Sequence, residues 1–130
     1  ETQDSAGYYD IGPEDLGEDV YNKTVEWLKK DKTIKILFVT NGFLVDTARA
    51  IADTGMKGQT QAIGFDINPE QIPYIKSGVI GTVINQDSFG QGHDPIIHMY
   101  NNIAAGIPYV SEYISARSSI VDISNVNDLI

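Results

Sequence analysis

The stretch from Ala62 to Gly92 constrains the fold more than any other part of the chain. A short apolar run, Gln61 to Phe65, ends in Asp66. A helix-like segment opens on Pro69 and closes near Ser77-Gly78. A second apolar run, Gly81 to Ile84, ends in Asn85-Gln86-Asp87, and Gly90-Gln91-Gly92 leads into another helix. Two buried strands joined by a helix form a βαβ unit, and that connection makes the strands parallel. Each strand then delivers a polar side chain at its carboxyl end, the edge where ligands bind in an open parallel sheet.

The flanking sequence continues the alternation. Pro13-Glu14-Asp15 reads as a helix start. Val20, Thr24, Trp27 and Leu28 follow on one helical face, and Lys29, Lys30 and Lys32 crowd the far end, which suits the negative pole of the helix dipole. Ile34 to Thr40 is β-branched, aromatic and nearly continuously apolar, the pattern of a strand buried on both faces. It ends at Asn41-Gly42. A helix with Leu44, Ala48, Ile51 and Ala52 on one side runs to Gly55. The last long helix is expected to start between Gly90 and Pro95, to carry Ile96, Ile97, Tyr100, Ile103 and Ala104 on its apolar side, and to stop at Gly106. Ile120 to Ile123 reads as one more strand, and Asn125 to Ile130 as a closing turn. Residues 1–12 read as a connecting segment. From residue 13 to 130 the chain reads as one α/β unit, a parallel sheet flanked by helices on both faces.

Composition removes several functions. The net charge is −9, with nine Lys and Arg spread along 130 residues, so this piece lacks the basic footprint that nucleic acid demands. There is no cysteine, hence no disulfide, no thiolate chemistry and no Cys-based zinc site. His93 and His98 are five apart, a poor spacing for one helix face, and no metal site is expected. No apolar run approaches the ~20 residues that span a bilayer, so no membrane insertion is expected. Gly90-x-Gly92 lacks the rest of a dinucleotide fingerprint, and no cofactor is expected. No carboxylate pair or nucleophile–base pair is placed by sequence, so no catalytic residue is assigned and an enzyme is not expected. The polar Glu1-Thr2-Gln3-Asp4-Ser5 opening has no methionine and no signal peptide, and the expectation is a fragment or a processed form.

Three strand ends carry Asn41, Asp66 and Gln86. In a parallel sheet all three share one rim. Two amides and a carboxylate both donate and accept hydrogen bonds, an inventory that suits a polyhydroxylated ligand. Phe43 or Phe89, near the same rim, would stack on the apolar face of a sugar ring. The plainer reading is that Asn, Asp and Gly follow strands because turns use them.

Three motifs carry a resemblance. The first is Phe38-Val39-Thr40-Asn41-Gly42 with Ala48-Arg49-Ala50-Ile51 behind it. The second is Ile63-Gly64-Phe65-Asp66 followed by Pro69-Glu70 and Ile75-Lys76-Ser77-Gly78. The third is Thr82-Val83-Ile84-Asn85-Gln86-Asp87 with Gly90-Gln91-Gly92. Their order and spacing over residues 15 to 130 resemble the C-terminal lobe of the type I periplasmic-binding-protein superfamily. That superfamily holds ribose- and galactose-type sugar receptors of ABC transporters and the effector-binding cores of LacI/GalR-type transcriptional regulators. The resemblance implies one Rossmann-like lobe of a two-lobed fold, residues 13–130, with the N-terminal lobe absent. It implies a sugar as ligand, held by the positions of Asp66, Asn41 and Gln86, and it allows a homodimer. In the first motif Gly42 stands where the receptors usually have aspartate, which removes position 42 as a ligand contact. The Thr40-Asn41-Gly42 and Ala48-Arg49-Ala50-Ile51 variant sits closer to the regulators, while Ser124-Asn125-Val126 resembles receptors too. The expectation is a regulator's effector lobe, which would be cytoplasmic. The alternative is a transport or sensing receptor, which would be periplasmic or extracellular. A small flavodoxin-like or hydrolase-type enzyme domain is the outsider.

Overall fold

The computed structural model describes residues 17–109, 111 and 115–129. The helix start expected at Pro13-Glu14-Asp15 and the connecting segment 1–12 lie outside them. Within them the chain alternates as expected. The order is helix α1 (Gly17–Lys30), strand β1 (Ile36–Phe38), helix α2 (Leu44–Asp53), strand β2 (Gln61–Phe65), a 3-10 turn (Pro69–Gln71), helix α3 (Ile72–Lys76), strand β3 (Ile80–Gln86), helix α4 (Ser88–Ala105) and strand β4 (Ser118–Val121). A final 3-10 turn spans Val126–Leu129.

The sheet order is β1-β2-β3-β4. The first three strands are parallel, with Phe38 opposite Ile63 and Gly64 opposite Val83. The fourth runs antiparallel to β3, with Ile120 opposite Ile84 and Ser118 opposite Gln86. The α/β class and the parallel centre are thus as expected. The direction of β4 is the new element: it begins at Ser118 opposite Gln86, the carboxyl end of β3, and so runs back along that strand. Pairing with β4 also lengthens β3, and Asn85 and Gln86 lie inside the strand rather than beyond its end.

One face of the sheet holds the core. Leu44, Ala48 and Ile51 of α2, Ile75 of α3, and Val79, Ile80, Val83, Val121 and Val126 are buried together. Ala52, expected on the inner face of α2, is exposed. Gly64 marks a close approach of helix to sheet. A Cβ built there would lie 3.0 Å from both Leu44 methyls and 3.1 Å from the Val39 carbonyl oxygen, so α2 sits directly on the β2 backbone. The opposite face is open. Ile36, Phe38 and Ile120 lie there and are more than half exposed, and Phe38 meets Phe65 edge-on at 5.7 Å. Helix α4, expected to bury Ile96, Tyr100 and Ile103, buries none of its residues. It starts at Ser88, not at Gly90–Pro95, because Asp87 caps it by accepting from the Gly90 N–H at 2.8 Å. Gly106 ends it in the left-handed conformation, as expected.

Helix α1 packs on α2 rather than on the sheet. Val20 and Leu28 are buried in that contact. The Tyr21 hydroxyl donates to Asp53 at 2.9 Å, which raises its pKa above the usual phenol value. Arg49 lies 4.2 Å above the Tyr21 ring and bonds Glu18 at 2.6 Å, with Asp46 at 3.7 Å. These groups are partly solvated, so they set the docking angle of α1 more than they stabilise the fold. Arg49→Ala is therefore expected to speed amide hydrogen exchange in α1 while leaving β2 and β3 protected. Equal deprotection of both regions would show that α1 and the sheet open together.

Candidate functional site

The rim at the carboxyl ends of β2 and β3 is built around Asp66. It follows β2 directly with φ of +57°, the one non-glycine residue with positive φ among those described. Aspartate tolerates this left-handed conformation better than most residues, yet it still costs about 1–2 kcal/mol, so the surroundings must hold it. Five hydrogen bonds do so. The Asp66 N–H donates to the Ile84 carbonyl at 3.0 Å, tying the turn to β3. The Ile67 N–H donates to Asn85 Oδ1 at 3.4 Å. The Asp66 carbonyl accepts from Gln71 Nε2 at 3.1 Å. Gln71 Oε1 in turn accepts from the Asn68 N–H at 3.3 Å, while Asn68 Oδ1 accepts from the Gln71 N–H at 3.2 Å. That reciprocal pair is a capping box on the 3-10 turn.

The Asp66 carboxylate meets Gln86. Gln86 Nε2 donates to Asp66 Oδ1 at 3.0 Å, and Gln86 Oε1 accepts from Gln91 Nε2 at 3.4 Å. The relay fixes the Gln86 amide with its NH2 towards the carboxylate. One oxygen of Asp66 is thereby engaged, and a carboxylate has roughly four acceptor sites in all.

Asn41 and Phe43 sit beyond β1. The pairing of β1 with β2 ends at Phe38 and Ile63, and Asn41 follows three residues after β1, as Asp66 follows directly after β2. Asn41 Oδ1 accepts from the Phe43 N–H at 3.2 Å, an Asx turn that starts α2, and the Phe43 carbonyl accepts from the Thr47 N–H and hydroxyl. Turn chemistry therefore occupies part of Asn41, as the plainer reading held. Phe89, in the first turn of α4, is 77% exposed and stacks on His93 at 5.1 Å. Asp94 bonds His93 at 2.9 Å, and that bond holds the Asp94 carboxyl below its usual range. His93 thus covers one face of the Phe89 ring.

Sequence reasoning singled out Asp66 and Gln86, and the structure joins them directly. It passed over Gln71, although Asn68-Pro69-Glu70-Gln71 is a readable capping-box signature. It also passed over Gln91, which reaches Gln86 across a strand–helix junction, where spacing carries no signal. A groove of about 1030 Å³ runs along α4, lined by Asp87, Gln91, Asp94 and His98 and by Tyr109 and Arg117 beyond the helix. Asn41, Phe43, Asp66, Gln86 and Phe89 do not line it. Among the described residues no helix is long and apolar enough to cross a membrane.

A parallel α/β layer with its polar groups gathered at the carboxyl edge has the architecture of one lobe of a type I periplasmic-binding-protein fold. The chain belongs to the periplasmic binding protein domain family, which matches it over residues 6–108. Solved structures agree on the fold. A glucose-galactose binding protein from Geobacillus stearothermophilus is 22% identical, with a TM-score of 0.72 over 85% of this chain and 39% of that one. An ABC transporter solute-binding protein from Agrobacterium vitis, solved with D-fucose, is 23% identical, with a TM-score of 0.73 over 90% and 41%. A protein described as a LacI transcriptional regulator from Bacteroides fragilis is 15% identical, with a TM-score of 0.71 over 88% and 39%. This chain spans about two fifths of the length of these proteins. No curated protein matches it in sequence.

Proposed function

We propose that this chain is a sugar-binding lobe that holds a small polyhydroxylated ligand at the Asp66–Gln86 rim. The observation that carries the reading is the carboxylate–amide pair itself, aimed by a strained turn at the ligand edge of the sheet. Asn41, Phe43 and Phe89 are assigned to the same rim. The function is binding rather than catalysis. A second lobe closes over the rim and supplies the remaining contacts, in line with the greater length of the matched proteins. The remainder of such a protein would also cover the open apolar face at Ile36, Phe38 and Ile120.

Lobe closure is the output, read by a partner. Sugar-binding transport proteins among the matched structures are 16–23% identical and the regulator 15%, so the receptor reading, acting outside the cytoplasm, stands beside the regulator reading. The regulator reading draws on the Thr40-Asn41-Gly42 and Ala48-Arg49-Ala50-Ile51 variant. A panel of aldohexoses and aldopentoses, titrated calorimetrically against the intact native polypeptide, tests the ligand class. Saturable binding of at least one monosaccharide is expected. No binding across the panel, with binding of an amino acid or nucleobase instead, would overturn it.

A further inference from the structure

We infer that Gln71 is a positioning residue of the proposed sugar site, acting entirely through Asp66. This rests on the sugar-rim reading above and deepens it. Gln71 is 1% exposed and lies beneath the turn, so it reaches no ligand. It is polar and buried, which is costly unless both ends of its amide are satisfied. They are satisfied by one turn. Nε2 bonds the Asp66 carbonyl, and Oε1 bonds the Asn68 N–H two residues on. A single buried side chain therefore spans the backbone of residues 66–68.

That span fixes the conformation that matters. At φ of +57° the Cα–Cβ bond of Asp66 leaves the backbone in a direction that an extended residue would not give. Released from Gln71, the turn would relax towards negative φ, the favoured side for an L-residue. The Asp66 carboxylate would then swing away from Gln86, and the Gln91–Gln86–Asp66 relay would open. Ile84 and Asn85 grip the N–H groups of 66 and 67 from the sheet side. Among the described residues, Gln71 is the one that bonds the Asp66 carbonyl, so it decides the orientation of the peptide after Asp66.

The test is a double-mutant cycle on sugar affinity in the intact native polypeptide, read by calorimetry well below the melting temperature. Gln71→Met keeps the volume and removes both bonds. Asp66→Asn keeps the side-chain shape and weakens the direct contact. Gln71→Met is expected to weaken binding roughly tenfold, within the range shown by residues sharing one hydrogen-bond network. In the Asp66→Asn background it should weaken binding little further, because its effect runs through the carboxylate. Gln71→Asn, one methylene too short to bridge the turn, is the second variant if Met prevents folding, and the same loss is expected. Unchanged affinity in the Gln71 variants, with a clear loss in Asp66→Asn, overturns the positioning role and leaves the site standing. Full additivity of the two losses also overturns it, since it would mean a general structural effect. A wild-type protein that binds sugar indifferently to Asp66→Asn overturns the site and this role together.

Discussion

Asp66→Ala in the intact native polypeptide is expected to abolish sugar binding while the chain stays folded. A carboxylate accepting from two ligand hydroxyls contributes about 1.5–3 kcal/mol per charge-assisted bond, so its loss weakens binding by roughly 10²–10⁴-fold. The fold should survive because Asp66 is exposed and its side chain bonds only the rim residue Gln86 among the contacts described. Alanine does face the left-handed backbone at +57°, which costs about 1–2 kcal/mol. Asp66→Gly separates the two effects, because glycine adopts that conformation without strain. Both variants should lose the ligand, and only the alanine variant should melt early. Affinity within twofold of wild type in Asp66→Gly would remove Asp66 from the site.

The second large effect lies where α2 meets β2. Leu44→Ala is expected to destabilise the chain by about 3–5 kcal/mol, since Leu44 is fully buried and the hole it leaves is lined by a strand backbone that cannot collapse. Gly64→Ala should cost about 1–3 kcal/mol by forcing the Leu44 methyls aside. Combined, the two changes should be clearly less harmful than their sum, because the new Cβ enters the space Leu44 vacates. Denaturant titration of the four proteins measures this. Additive losses would mean that the strand and helix do not meet at Gly64 as described. The site depends on this contact: α2 is started by the Asn41 turn, and Gly64 lies two residues before Asp66.

Much of this was legible in the residues because the signals were local. Alternating apolar runs and helix periods placed β1 to β3 and the helices between them, and short connections made those strands parallel. Asp66 and Gln86 were found because a strand's carboxyl end is a position that sequence can mark. Geometry beyond the next residue was less legible. The helix start was read between Gly90 and Pro95, yet Gly90 is already inside α4, where a Cβ would collide with the capping Asp87 carboxylate. The left-handed turn at Asp66 has no glycine to announce it. Its support comes from Gln71, five residues on, and from Asn85, on the neighbouring strand. The sense of β4 depends on which edge of the sheet the chain re-enters after α4, and no local residue pattern marks that edge. The apolar residues of α4 read as a stripe, yet Ile96, Ile97, Tyr100, Ile103 and Ala104 are all exposed, because a stripe does not say which surface covers it.

The most direct measurement of the central claim is residue-resolved NMR of the intact native polypeptide, isotope-labelled, during titration with a monosaccharide from the panel. The account predicts that the backbone amides of Asp66, Ile67 and Gln86 and the side-chain amides of Gln86 and Gln91 shift together and saturate at one ligand concentration. Saturable shifts confined to the groove lined by Asp94, His98, Tyr109 and Arg117, with Asp66 and Gln86 unmoved, would contradict it.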